Sequence, residues 1–218
     1  MTKSMTKIFW NIKSELNILE SNFWIISTAL TIALFLFFAG AGDLLDVFPL
    51  CFEVIYPFFA AVAVGEWGKM RADPCFDVIA AQSPHLFSWA VARCAAVFGA
   101  VSFFALLAMT ALSFLRPGPP LWELVLLYLP TAFFLSSLGA ALGLLSPREH
   151  TAALGCGILW LAALLARGLL RLPGVEYIYL FLRFAGDHNR VWLWNKGILT
   201  AAGLGIWGII GQTLSRRR

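Results

Sequence analysis

The chain has 218 residues, of which 60% are hydrophobic and 13% charged. A soluble domain has about 45–50% apolar and about 25% charged residues, so the composition excludes an ordinary soluble fold and indicates a polytopic membrane protein. The net charge of +4 does not point to nucleic acid, because the lysines and arginines sit at the ends of apolar runs and form no continuous face. Cys51, Cys75, Cys94 and Cys156 are far apart, and three of them lie in apolar stretches where a thiol is ordinarily a small hydrophobe, which excludes a disulfide scaffold.

Residues 1–22 open with Ile8, Ile12, Leu16 and Leu19 at helical spacing, and Lys7, Asn11, Ser14 and Glu15 fall toward the other side. This pattern predicts an amphipathic helix lying along the inner membrane surface. The first apolar run begins near Phe23 with no small-residue cleavage motif in position, so it is expected to stay in the mature protein.

Residues 23–218 read as an all-α polytopic transmembrane domain. A membrane helix needs about 20 mostly apolar residues. Six stretches meet or approach that length: Phe23–Gly40, Val47–Gly65, Phe87–Leu115, Leu121–Leu145, Glu149–Ala166 and Lys196–Leu214. Most connections are short; the two longer ones are Glu66–His85 and Arg167–Asn195. An even number of spans puts both termini on one side. With the termini in the cytoplasm, that side collects Lys3, Lys7, Lys13, Lys69, Arg71, Arg93, Arg148, Arg216, Arg217 and Arg218, against Arg116, Arg167, Arg171, Arg183, Arg190 and Lys196 outside, a tally of 10 to 6 that favours this orientation.

Glu53 is the one acidic residue well inside a predicted span, with Tyr56 and Pro57 just beyond. A carboxylate at mid-depth is costly, so it is expected to face protein or water. Two readings stand side by side: Glu53, with Tyr56, lines a translocation path or a dimer interface; or Glu53 is a structural carboxyl, protonated and hydrogen-bonded to a neighbouring helix.

The Glu66–His85 loop carries its own helix signals. Asp73 can cap and Pro74 can take the first helical position, giving a short helix over Pro74–Gln82; Ser83-Pro84 repeats the device ahead of the third span. Phe76, Ile79 and Ala80 give the short helix an apolar side, and Asp73 and Asp77 lie near its positive end. A cytoplasmic partner protein would provide a socket for this knob; the alternative is a helix resting on the bilayer surface. Ser146-Pro147-Arg148-Glu149 matches a capping box at the start of the fifth span, with a second, smaller contact surface centred on Arg148 and His150.

Gly139 and Gly143 form a GxxxG in the fourth span, and Gly203, Gly205, Gly208 and Gly211 stud the sixth, which predicts close helix packing within one chain or between two. Between the fifth and sixth spans, the aromatic-rich Val175–Ala185 is too short to cross a bilayer and reads as a re-entrant or interfacial helix, with Trp192 and Trp194 in an aromatic belt. Asp187 and His188 adjoin there, too few ligands for a metal site. No G-x-x-x-x-G-K-[ST] loop, G-x-S-x-G elbow or H-E-x-x-H pair occurs. The chain is therefore not expected to hydrolyse ATP or to act as an enzyme.

This layout resembles the permease subunits of ABC-2 type transporters. The likeness rests on the amphipathic helix before the first span, on Glu66, Pro74–Gln82, Ser83-Pro84 and Arg93 in and after the loop, and on the re-entrant segment before the last span. The Gly-Thr-Leu-Glu string common in that family's loop appears here as Ala72-Asp73-Pro74-Cys75-Phe76-Asp77, and His85 replaces the usual basic residue of the turn. The resemblance implies a multi-pass protein of the cell membrane working as a dimer, with a second copy of itself or a similar permease. It also implies a separate ABC ATPase subunit, which holds the ATP and Mg²⁺, while this chain binds no cofactor. Glu66, Asp73, Pro74, Phe76, Asp77, Ile79 and Arg148 would couple to that ATPase. A competing reading is a membrane scaffold or assembly factor without transport activity. A neighbouring gene encoding an ATPase with a phosphate-binding loop would favour the permease; a lipid-metabolising enzyme is not indicated.

Overall fold

The computed structural model describes residues 21–40, 47–69, 86–115, 119–146, 148, 150–186 and 191–215. The N-terminal amphipathic segment, the loop positions Asp73, Pro74, Phe76, Asp77, Ile79, Ser83, Pro84 and His85, and the Asp187-His188 turn lie outside these residues. All regular structure among the described residues is helical.

The apolar runs form α1 (Ser21–Gly40), α2 (Tyr56–Trp67), α3 (Leu86–Leu115), α4 (Leu121–Leu145), α5 (Thr151–Leu165) and α6 (Val191–Ser215). Five helical stretches among the described residues are long and apolar enough to cross a membrane, the first being Leu50–Trp67, and α1 contributes a shorter apolar stretch over Ser21–Phe37. The chain is a multi-pass helical membrane protein. Apolar side chains such as Leu154, Ile158 and Leu165 on α5 and Leu193, Leu204 and Ile209 on α6 remain exposed on the bundle surface, as expected of helix faces turned toward lipid.

α2 and α4 pack most closely, and α2 also touches α3 and α5. The packing follows from small residues. A Cβ on Gly139 would collide with the Ala61 carbonyl oxygen, one on Gly143 with the Gly65 carbonyl oxygen, and one on Gly65 would lie 2.9 Å from the Gly139 carbonyl oxygen. The GxxxG of α4 thus meets an Ala61-x-x-x-Gly65 on α2, and the two backbones touch. Gly203 similarly receives the Phe133 ring, whereas Gly205 and Gly208 have nothing within 4 Å and add no packing inside the chain.

Four expectations are corrected. The second span is not one regular helix: a turn at Val47–Pro49 leads into a π-helix over Leu50–Ile55 before α2, closed by the Tyr56 N–H on the Cys51 carbonyl. Pro57 accounts for the irregularity, since its ring would clash with the Glu53 carbonyl in a regular helix and it has no N–H to donate. The predicted helix over Val175–Ala185 is a 3-10 turn at Val175–Tyr177 followed by further turns to Gly186, held by a side chain described below that reaches three of its carbonyls. The sixth span starts at Val191, so Lys196 stands inside the helix and does not flank it. Finally, Ser146 is the C-cap of α4, and α5 starts at Thr151 after His150 in a left-handed conformation (φ 58°), so the predicted capping box is not the start of this helix.

Candidate functional site

The π-helix turns Glu53 into the bundle, where its side chain is 0% exposed and that of Lys196 on α6 is 3% exposed. Lys196 Nζ donates to Glu53 Oε1 at 2.6 Å and to Thr131 Oγ1 of α4 at 2.8 Å. The other carboxylate oxygen, Oε2, accepts the Phe184 N–H at 2.8 Å. Both oxygens of the acid are occupied and the ammonium is shared with a hydroxyl, the arrangement that a buried pair requires if attraction is to offset the cost of dehydrating two charges. One contact therefore joins the π-helix, α4, α6 and the 172–186 segment.

That segment forms a cap fastened from all sides. Asn195 Nδ2 lies within 3.1 Å of the carbonyl oxygens of Glu176, Tyr177 and Tyr179. Tyr179 donates its hydroxyl to the Ala163 carbonyl at 2.8 Å; burial pushes this phenol above its ordinary range, which keeps it in the donating form. Arg167 donates to the Ala185 carbonyl at 2.8 Å, and Arg183 pairs with Glu123 at the start of α4 while its guanidinium stands 5.3 Å from the Trp192 ring centroid. Trp160 of α5 donates to the Val54 carbonyl in the π-helix at 3.0 Å, satisfying a backbone group in the irregular turn.

Tyr56 does not join this network. Its ring stacks on Phe52 at 5.7 Å and its hydroxyl donates to Thr31 of α1 at 3.1 Å, so it ties α1 to α2.

At the opposite end of α2, Glu66 builds a second junction. Its Oε1 accepts the Ala153 N–H in the first turn of α5 at 3.1 Å, and its Oε2 pairs with Lys69 at 2.5 Å, with His150 Nδ1 at 3.9 Å. A carboxylate from another helix thus takes the N–H that a cap residue such as Ser146 was expected to take, and it also complements the positive end of α5. Arg93 of α3 donates to the Trp67 carbonyl at 3.2 Å, so α2, α3 and α5 meet where α2 ends. Arg148 is exposed in the α4–α5 turn, two residues from His150, whose side chain is 76% exposed. Glu66→Ala is expected to cost about 0.5–2 kcal/mol through loss of the cap, and Glu66→Gln, which keeps an acceptor for Ala153, less; melting temperatures in detergent would order the variants accordingly.

Among the described residues no cluster of His, Cys, Asp or Glu could hold a metal ion. Lys196 is the member of this buried network that sequence reasoning missed. Its signal was the spacing of Trp192, Asn195, Lys196, Leu199 and Gly203, one continuous helical stripe, all of it buried. No known protein family, curated protein or solved structure matches the chain.

Proposed function

We propose that the chain is the membrane-spanning permease subunit of an ATP-driven exporter of the ABC-2 type, resident in the cell membrane with both termini in the cytoplasm and α1 completing six spans. It works as a dimer with a copy of itself or a similar permease, and a separate ATPase docks on the loop after α2. The ATPase supplies the ATP chemistry; this subunit contributes the path.

The observation that carries the reading is the pair of junctions on the second span. From Glu53 to Glu66 is about 20 Å along a helix. Glu66 grips α5 directly beside the predicted docking loop, and Glu53 grips α6 and the 172–186 cap at the far end. A push delivered through Asp73, Phe76, Asp77 and Ile79 would act on the Glu66 end first. It would then pass along one rod to the contact that keeps the outer end closed. Opening that end requires Arg183–Glu123 and Phe184–Glu53 to part, which is the natural route for cargo to leave between α4, α6 and the cap.

The test is association. The chain should co-purify with a phosphate-binding-loop ATPase encoded nearby, and Phe76→Asp combined with Ile79→Asp should abolish that association while leaving the fold intact. Equal recovery of the ATPase with both variants present would remove the docking assignment.

A further inference from the structure

The π-helix and α2 meet at a joint that lacks a backbone hydrogen bond. The Tyr56 N–H reaches back to the Cys51 carbonyl, the five-residue step of a π-helix, and the next residue, Pro57, has no N–H to give to either the Phe52 or the Glu53 carbonyl. Helices bend at breaks of this kind. Trp160 of α5 braces the joint from outside: its ring lies 4.9 Å from that of Phe58, beyond the joint, and its N–H bonds the Val54 carbonyl, before it, at 3.0 Å.

The stretch before the joint, residues 47–55, has two unlike sides. On one side the π-helix packs on α4, and Glu53 is clasped by Lys196 at 2.6 Å and by the Phe184 N–H at 2.8 Å. Phe48 and Pro49 border the Glu123–Arg183 pair. On another side lies an apolar space of about 330 Å³ between α1 and α3, where Cys51 and Phe52 look toward Ala108, Ala111 and Leu112. Successive helical residues are set about 100° apart, so Cys51 and Glu53 point in nearly opposite directions, one to this space and one to the ion pair. Apolar contact with α4 is non-directional. The two bonds to the Glu53 carboxylate are directional and charge-assisted, and they fix where the stretch sits.

We propose that residues 47–55 are a hinged arm, pivoting at Pro57 under the Trp160 brace, that the Glu53 clasp locks against α4. Released from Lys196 and Phe184, the arm swings toward the space between α1 and α3. The inference requires only the fold and does not rest on the transport reading.

The experiment is amide hydrogen exchange, read by mass spectrometry, on the full chain in phospholipid nanodiscs. Glu53→Leu with Lys196→Met removes both clasp bonds and leaves no buried charge unpaired. Exchange in 47–55 should then rise about tenfold over wild type, the mark of local opening, while 58–67 in α2 keeps its wild-type rate. Glu53→Gln with Lys196→Met, which retains an acceptor for Phe184, should give a smaller rise in the same peptide and serves as the release variant if the first does not fold. Ala111→Phe, which fills the space, should return 47–55 to near its wild-type rate in the released background; Ala108→Leu serves the same purpose if Ala111→Phe does not fold. A rise shared equally by 47–55 and 58–67 would mean general loosening and overturn the hinge. No rise in 47–55, or a rise that filling the space leaves untouched, would overturn the proposal as well.

Discussion

Lys196→Met is expected to lower stability by about 3–5 kcal/mol, because it leaves a carboxylate with no counter-charge inside the protein. Glu53 is fully buried, with one oxygen on Lys196 and the other on the Phe184 N–H, so it cannot recover hydration by a small rearrangement. Glu53→Ala should cost a similar amount, since it strands the ammonium and frees the cap. The informative variant is the double, Glu53→Gln with Lys196→Met. Glutamine still accepts from Phe184 and presents an amide toward Thr131, and no charge remains unpaired. The double should therefore be distinctly more stable than the sum of the singles, a coupling of the size seen for groups in direct contact. Thermal melting in detergent measures all of these; single variants that melt like wild type would show that the pair contributes nothing.

The second large effect concerns α2 and α4. Gly139→Leu and Gly143→Leu each put a side chain where the opposing helix has backbone, at the Ala61 and Gly65 carbonyls. Backbone cannot rotate away as a flexible side chain would, so the helices must separate. Overpacking of a core typically costs about 1–3 kcal/mol and more when nothing can yield. Because α2 carries the Glu66 junction and continues from the π-helix that carries Glu53, separation here should loosen the whole bundle, read as loss of monodisperse protein on gel filtration. Even Gly139→Ala should lower the melting temperature. Gly157→Ala and Gly205→Ala, which meet nothing within 4 Å, should be neutral or slightly stabilising, since alanine is favoured over glycine by up to about 1 kcal/mol in a helix.

The helical, multi-pass character was legible because the apolar runs are long and nearly free of charge, but hydropathy read the second span as one regular helix and started the sixth at Lys196, where the helix begins at Val191. The α2–α4 contact was half legible: Gly139-x-x-x-Gly143 was read as a packing surface, but its mate, Ala61-x-x-x-Gly65, has no outward mark that distinguishes it from the other small residues of the bundle. Glu53 was recognised as a costly group that must face protein, and its environment is indeed protein. Its partner could not be read, because Lys196 lies 143 positions away and was assigned to the flank of a span that in fact starts at Val191. The same non-locality misdirected the capping box. Ser146-Pro147-Arg148-Glu149 satisfies the local pattern, but the carboxylate that caps α5 is Glu66, 87 positions away. The turn structure of 172–186 was hidden for a related reason. Asn195 holds the Glu176, Tyr177 and Tyr179 carbonyls from outside the segment, a long-range contact that no local pattern announces.

The most direct measurement is a structure of the full chain bound to its ATPase in nanodiscs. The expected result is two ATPases on a dimer of this subunit, residues 74–82 as a helix seated in an ATPase groove with Phe76 and Ile79 buried, and Glu66 still on the Ala153 N–H beside it. A chain that binds no ATPase, or one that binds it through a surface remote from this loop, would contradict the permease reading.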